Sequence, residues 1–358
     1  MKEAKLLASQ SGLFGIEVSM DGDRILGGAR AAYIENTVSG AAYVFRREGT
    51  TWIEEAQLLS ANAQYAGLFG DGVVIRGDRV VVGAPGEEDD RGNAYVFERQ
   101  GSTWTNTATL SDSDPLPGSS FGWERSVGIS GDTAIVGANR RSDPPLVRSG
   151  AAYIFDESSG VWTESFKLNA SDAATGDEFA RVSLEDDRLL VGAMGDATDT
   201  GAAYVFERHG VFPPHWDEDS KLTATGGDTG EEFGKATALN GDRLLVGATY
   251  ADVGSTNTAG AAYVYELPDV NANLVQDACE QNFAFDADGN LLDDENMVYT
   301  WDGENRLVKA VPKIVADGSL QVTNTYDYLG RRVRRLREFY KESSGTWTAD
   351  SSPAIEMP

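Results

Sequence analysis

The sequence predicts an all-β fold, a β-propeller of about five four-stranded blades. Three observations support this prediction. The 358-residue chain contains 40 glycines, which indicates many turns between short strands. One unit recurs five times along the chain, and its motifs are rich in Val, Ile, Tyr and Phe and bounded by Gly, Asp and Asn. Four short antiparallel strands repeated in every unit are typical of propeller blades.

Each unit begins with Phe followed by Gly or Ala, and continues with an apolar strand that ends in Gly-Ala. The Phe pairs lie at 14–15, 69–70, 121–122, 179–180 and 233–234. The apolar strands lie at 23–29, 78–84, 132–138, 187–193 and 242–248. Because blades crowd toward a central axis, small residues at these ends allow close backbone approach. We expect the Phe side chains to pack between neighbouring blades.

A hexapeptide of the pattern GAAYVF supplies the third strand of each unit. It occupies 40–45 and 201–206, with near-copies at 92–97, 150–155 and 260–265. In the first four units a fourth strand begins at Trp and reaches Leu six residues later. Side chains alternate between the two faces of a strand, so the Trp and the Leu, six residues apart, point to the same face. The recurrence therefore indicates a repeated scaffold rather than five active sites.

The fifth unit lacks the Trp strand, because Pro268 and a change in composition follow GAAYVYEL. Residues 3–8 resemble such a strand without its Trp, with Leu6 at the Trp position. We expect these residues to complete the fifth blade and close a ring of five. The alternative is that they belong to a preceding blade.

The Phe-Gly start and Gly-Ala end resemble the FG-GAP repeats of integrin α-subunit propellers and their bacterial relatives. The stretch VVVGAPGEEDDRGNAYVF at 80–97 carries the resemblance most fully, and five copies span about residues 1–267. The resemblance implies an extracellular β-propeller used for adhesion or ligand binding. Many family members carry a DxDxDG calcium loop in each repeat, but segments such as SMDGDR lack three alternating oxygen ligands. The chain thus resembles the calcium-poor bacterial subtype, and we expect no cofactor in the blades.

Residues 269–280, DVNANLVQDACE, resemble the dockerin-like acidic segments that follow secreted bacterial repeats. Leu274 replaces the Gly that the sharp turn of an EF-hand-like loop needs, and two of the first three ligands are neutral Asn. We expect weak Ca²⁺ binding at most, and the alternative is a plain acidic linker. The candidate ligands at positions 1, 3, 5, 9 and 12 of this loop are Asp269, Asn271, Asn273, Asp277 and Glu280.

The sequence motifs change again beyond residue 281. The stretches FAFDADGNLL at 283–292, YTWDGENRLVKAV at 299–311 and TYDYLGRRVRRL at 325–336 resemble the YD repeats of Rhs proteins. The resemblance implies spiralling β-sheets that line large shells, but two or three copies are too few to enclose a cargo. We therefore predict a propeller at 1–268, an acidic linker at 269–280 and a small β-rich YD-repeat segment at 281–358.

Charge and motif content exclude several classes of function. The net charge of −27 at pH 7 repels phosphate groups, so we expect no nucleic-acid partner. No run of 18 apolar residues is present, so we expect no membrane insertion. The chain has one cysteine and two histidines, which lie in one loop. These are too few for a typical zinc site or a histidine-based catalytic centre. Since no hydrolase or nucleotide-binding motif is found either, we predict that the protein is not an enzyme.

What remains is a binding module that uses loops on a rigid scaffold. The loops between the second and third strands vary most; they lie at 30–39, 85–91, 139–149, 194–200 and 249–259. Within them the candidate ligand-binding residues are Tyr33, Arg140, Arg141 and Tyr250. We predict a non-enzymatic extracellular or cell-surface module that binds a protein or glycan.

Two alternatives remain open for the function. The propeller could be a structural spacer in a truncated Rhs-like polymorphic-toxin or wall-associated protein, or an accessory domain of a secreted hydrolase. The opening MKEAKLLASQ has no signal-peptide core, and the chain ends abruptly at SSPAIEMP. We therefore expect the propeller to act together with other parts of a longer chain.

Overall fold

The computed structural model describes residues 4–267, with gaps at 11, 197–199, 210–214 and 253–257. It also describes shorter stretches at 284–285, 291–293, 297–303, 306–312, 319–326, 332–341 and 346–349. The chain forms two compact units, residues 1–267 and 268–358. The predicted all-β propeller fold is confirmed, because each repeat forms an antiparallel sheet of its own.

Each of the first four repeats forms a four-stranded sheet, or blade, whose strands follow one another in chain order. The first blade contains β1 (Val18–Asp21), β2 (Arg24–Ala29), β5 (Ala41–Glu48) and β6 (Thr51–Leu58), with a hairpin of β3 (Tyr33–Ile34) and β4 (Thr37–Val38) between β2 and β5. The second contains β7 (Val73–Arg76), β8 (Arg79–Ala84), β9 (Asn93–Gln100) and β10 (Thr103–Leu110), with a turn α1 (Glu87–Asp90). The third contains β11 (Val127–Ser130), β12 (Thr133–Ala138), β13 (Ala151–Ser158) and β14 (Val161–Leu168). The fourth contains β15 (Phe179–Glu185), β16 (Arg188–Ala193), β17 (Ala202–His209) and β18 (His215–Leu222).

Among the described residues the fifth blade has three strands, β19 (Phe233–Asn240), β20 (Arg243–Ala248) and β21 (Ala261–Glu266). The predicted closure by residues 3–8 is not seen, since the described residues 4–8 form no strand. Instead Leu6 packs against the buried cluster of the first blade that contains Tyr43 and Phe45, as Leu168 packs on the fourth blade. Leu6 therefore occupies the position of the Leu that ends a fourth strand, not the predicted position of the Trp.

The apolar core lies between consecutive blades. Side chains from the second and third strands of one blade pack on the first strand of the next. For example, Leu26 and Val44 of the first blade share one buried cluster with Val73 and Ile75 of the second. Burial of four such interfaces is the main source of cohesion, because each fully buried Val, Leu or Ile contributes about 1.5–3 kcal/mol.

The repeated Phe residues join consecutive repeats. The ring of Phe69 packs against Tyr95 of its own blade, with centroids 5.6 Å apart. Its backbone N–H donates to the carbonyl oxygen of Ser39 in the preceding repeat, at 3.0 Å. The equivalent bonds run from Phe179 to Ser149 and from Phe233 to Thr200, each at 3.0 Å. Each of these Phe residues after the first repeat thus anchors its own repeat to the loop of the repeat before it.

The second unit contains one antiparallel sheet of seven strands among its described residues. In chain order these are β22 (Ala284–Phe285), β23 (Leu291–Asp293), β24 (Met297–Trp301), β25 (Leu307–Pro312), β26 (Leu320–Tyr326), β27 (Arg332–Lys341) and β28 (Thr346–Ala349). Neighbours in the chain are neighbours in the sheet. This unit is therefore a meander.

Candidate functional site

One end of the blades collects two sets of loops. In an antiparallel blade, the loop from the second to the third strand lies at the same end as the loop that leads into the next repeat. Backbone bonds join the two sets, for example from Ala66 N–H to Val38 O at 2.8 Å and from Tyr250 N–H to Glu231 O at 3.1 Å. We call this end the loop face. It comprises the described residues of 30–39, 59–68, 85–91, 111–120, 139–149, 169–178, 194–200, 223–232 and 249–259.

Two predicted ligand-binding tyrosines lie exposed on the loop face. Tyr33 is in the small β3–β4 hairpin, and Tyr250 follows β20. Sequence reasoning missed a third exposed tyrosine, Tyr65, which lies in the loop that leads into the second repeat. A comparison of both sets of loops, and not only those inside a blade, would have found it.

Arg140 is exposed on the loop face and stacks on Trp123. The guanidinium carbon lies 4.7 Å from the centre of the Trp ring, within the range of a cation–π contact. The ring supports the guanidinium while the residue stays exposed, an arrangement that suits a ligand with carboxylate or hydroxyl acceptors. Trp123 was not predicted as a site residue. Its signal in the sequence is that it directly follows a Phe-Gly pair and does not begin a fourth strand.

Arg141 was predicted to bind ligand, but the structure encloses it. The residue is only 3% exposed. Its guanidinium contacts three carboxylates, at 2.8 Å from Asp143, 2.6 Å from Asp114 and 3.4 Å from Asp112. Burial raises the pKa of Asp112 to about 6 even though Arg141 acts to lower it. Arg141 therefore joins two loops of the scaffold and does not present donors to a ligand.

Buried tyrosines of the third strands hold the acidic loops in place. The hydroxyl of Tyr204 lies 2.7 Å from a carboxylate oxygen of Asp196 and 2.8 Å from one of Asp172, and its single proton is shared between them. Tyr153 donates to Asp114 at 3.1 Å, and Tyr95 donates to a carboxylate oxygen of Glu87. Burial, together with the neighbouring carboxylates, raises the pKa of each of these three hydroxyls. They remain protonated donors, so their role is structural.

The turn α1 makes part of the loop face acidic. Glu87 is buried, whereas Glu88, Asp89 and Asp90 are exposed. The exposed residues have φ values of 53°, 60° and 60°, a left-handed conformation that is uncommon for residues other than Gly. Backbone bonds hold it, because the carbonyl oxygen of Asp90 accepts the N–H of Ser120 at 2.9 Å. A ligand of this region would need basic or hydroxyl groups.

Charged residues also meet at the inner ends of the blades. Glu17 of the first repeat accepts the backbone N–H of Arg125 of the third, at 3.1 Å. Asp71 is fully buried and accepts a bond from Arg30 at 2.9 Å. Burial, with smaller contributions from Asp71 and Glu124, raises the pKa of Glu17 to about 8, although Arg125 acts to lower it. A partly buried carboxyl whose pKa is raised in this way makes stability depend on pH.

We expect Glu17→Gln to stabilise the protein at alkaline pH. Because the pKa of Glu17 rises from 4.5 to about 8 on folding, its contribution is favourable below about pH 4.5 and declines as pH rises toward 8. Gln is neutral at every pH, so the variant should gain about 2 kcal/mol near pH 9 and little near pH 4, after allowance for solvent screening. Denaturant unfolding at several pH values measures the difference. Asp23→Asn, an exposed acidic residue, controls for net charge, and parallel pH profiles for Glu17→Gln and the parent would contradict the prediction.

The predicted Ca²⁺ ligands Asp269, Asn271, Asn273, Asp277 and Glu280 lie outside the described residues. Within the described part of the chain, no group of three or more His, Cys, Asp or Glu residues is placed to hold a metal ion. No helix in the described part has the length and apolar character needed to cross a membrane.

Comparison with known families gives five matches along the chain. The profile of the FG-GAP repeat matches residues 1–45, 52–97, 104–155, 162–206 and 216–265. A search of curated proteins finds no significant match. The last four matches begin at the Trp of a fourth strand and end in the third strand of the next blade. Because the matches together cover more than half of the sequence, the chain belongs to the FG-GAP repeat family.

Proposed function

We propose that the protein is a non-enzymatic binding module, extracellular or at a cell surface, whose loop face binds a protein or a glycan. The observation that carries this proposal is a contrast between two sets of tyrosines. The tyrosines of the first four third strands are fully buried, whereas Tyr33, Tyr65 and Tyr250 expose their rings on the loop face. Tyrosine offers a large amphipathic surface with few torsions to immobilise, which suits it to recognition.

The charges of the loop face support a ligand with several polar groups. Arg140 offers donors above Trp123, and Glu88, Asp89 and Asp90 offer acceptors. A glycan presents hydroxyls that suit both and apolar C–H faces that suit tyrosine. A protein surface with aromatic, acidic and basic groups suits them as well, since Tyr, Trp and Arg are enriched in protein interfaces.

The test is a binding screen of the purified chain against glycans and extracellular proteins. For a ligand found in this way, we expect Tyr33→Ala, Tyr65→Ala, Tyr250→Ala or Arg140→Ala to weaken binding about tenfold, or about 1.4 kcal/mol, wherever the side chain is buried by the ligand. Val161→Ala is the control, because Val161 is exposed at the opposite end of the third blade. Absence of saturable binding, or binding that all four substitutions leave unchanged, would contradict the proposal.

We also propose that residues 281–358 are a short Rhs/YD-type segment, which favours the alternative that the propeller is a spacer in a longer Rhs-like protein. The support is an interlocked pair of motifs. Arg306 of the DGENR stretch lies 2.8 Å from Asp302 and 5.0 Å from the ring centre of Tyr326, in the next motif. Tyr326 in turn donates to the carbonyl oxygen of Leu307 at 3.0 Å. Further copies of these motifs in the flanking gene would support the spacer role, and flanking sequence that encodes no further copy would argue against it.

A further inference from the structure

The first and fifth blades each carry an exposed apolar face. The front face of the first blade is formed by Val18 and Met20 of β1, which are 63% and 64% exposed. In the second, third and fourth blades, the same two strand positions are buried against the preceding blade. These buried residues are Val73, Ile75, Val127, Ile129, Val182 and Leu184.

The back face of the fifth blade is exposed in the same way. Leu245 of β20 and Val264 of β21 are 43% and 65% exposed. Their counterparts in the first four blades are completely buried by the following blade. These are Leu26, Val81, Ile135 and Leu190 on the second strands, and Val44, Val96, Ile154 and Val205 on the third strands.

We propose that the front face of one copy of this chain packs on the back face of the fifth blade of another copy. Four interfaces inside the chain already join such a front face to such a back face. The chain therefore carries both halves of an interface whose geometry and chemistry it uses four times. The contact is head-to-tail, so two copies form a ring or successive copies form a longer assembly. This inference does not depend on what the loop face binds.

A missing strand points to the same contact. No fourth strand pairs with β21 among the described residues, so one edge of the fifth blade offers its backbone groups. Residues 4–9 contact the first blade. Elsewhere in the chain, the residues at the end of a fourth strand make the same contact with the next blade. The hydroxyl of Ser9 donates to Glu54 at 2.8 Å, as that of Ser113 donates to Glu164 at 2.8 Å.

The family matches and the strand register extend this argument. The last four FG-GAP matches each include the fourth strand of the preceding blade, and the first match begins at residue 1. In complete blades the Leu that ends the fourth strand lies opposite the second Ala of GAAYVF, as Leu58 lies opposite Ala42. Leu6 of one copy would therefore lie opposite Ala262 of the next, by addition of a β-strand to an open edge.

Sedimentation of the full chain over a range of concentrations tests the proposal. The net charge of −27 opposes association, so the buffer needs at least physiological salt, where the Debye length is about 8 Å. The parent should form dimers or larger species. The front variant Val18→Asp/Met20→Asp and the back variant Leu245→Asp/Val264→Asp should each be monomeric. Because the substituted residues are exposed, both variants should keep the circular dichroism spectrum of the parent.

A mixture of the two variants is the decisive sample. Each variant keeps one intact face, so an equimolar mixture should form a one-to-one dimer and nothing larger. Val161→Asp, on an exposed hairpin away from both faces, should associate like the parent. A parent that stays monomeric at all concentrations, or a mixture that stays monomeric, would overturn the proposal.

A disulfide test distinguishes contact between copies from ring closure within one chain. Leu6→Cys/Ala262→Cys, in a Cys279→Ser background, places two thiols opposite each other, because directly opposed strand residues have Cβ atoms about 4.5–5.5 Å apart. Mild oxidation should give dimers and larger species on a non-reducing gel. A cross-link confined to the monomer would overturn the proposal in favour of an intramolecular ring.

Discussion

Gly192→Ala should destabilise the protein by about 3 kcal/mol or more, because the new methyl group would clash with the next blade. A Cβ at this position would lie 2.0 Å from the carbonyl oxygen of Gly234, the Gly of the following Phe-Gly pair. The obstacle is backbone held in an interface, so the whole fifth blade would have to move. The midpoint of denaturant unfolding, followed by tryptophan fluorescence, measures the effect.

The chain contains a matched control for this substitution. Gly247 occupies the same position in an identical DRLLVGA strand, but its nearest neighbour is the Cβ of Ala236 at 3.5 Å, an ordinary contact. Gly247→Ala should therefore change stability by less than about 1 kcal/mol. Equal losses for the two variants would show that strand conformation, not the approach of the next blade, requires the glycine.

Arg141→Ala should destabilise the protein by about 3 kcal/mol near pH 7, since it leaves the buried carboxylate of Asp112 without its cation. Asp112, Asp114 and Asp143 surround this guanidinium. The loss should shrink toward pH 4.5, because the Asp112 carboxyl, whose pKa is about 6 in the folded protein, is then protonated and needs no cation. Thermal and denaturant unfolding at both pH values measure it.

The neighbouring Arg140 provides the control for Arg141. Arg140 is exposed and contacts the ring of Trp123, so Arg140→Ala should cost no more than about 1 kcal/mol of stability. Its expected effect is on binding at the loop face. If Arg141→Ala leaves stability unchanged, the buried ion-pair cluster does not hold the loops together as described.

The five repeats and their strands are predictable from the sequence because the signals for them are local. The even spacing from Trp52 to Leu58 predicts a strand, and β6 spans these residues. Alternation of side chains and turn residues acts over a few positions, so neighbours in the sequence suffice to define it. The recurrence of the same motif then indicates that the strands form similar blades.

Residue roles on the loop face depend on contacts that the sequence does not reveal. Arg140 and Arg141 are adjacent and chemically identical, yet one faces solvent and the other is enclosed by acids, two of which lie in the preceding loop. Tyr65 and Tyr95 have the same side chain, yet one is exposed and the other is buried. Which side chain meets a ligand is decided by loops that come together only in the folded chain.

By itself, the sequence determined an all-β chain of five related blades, their strands and the small residues where blades meet. Only the tertiary structure decided which faces of those blades have partners. Val18 and Val73 occupy the same position of the same motif, but the first is exposed and the second is buried. The physical reason is that a blade face is buried only when a neighbouring blade covers it, whatever residues form the face. A local pattern specifies an apolar face but not whether another blade covers it.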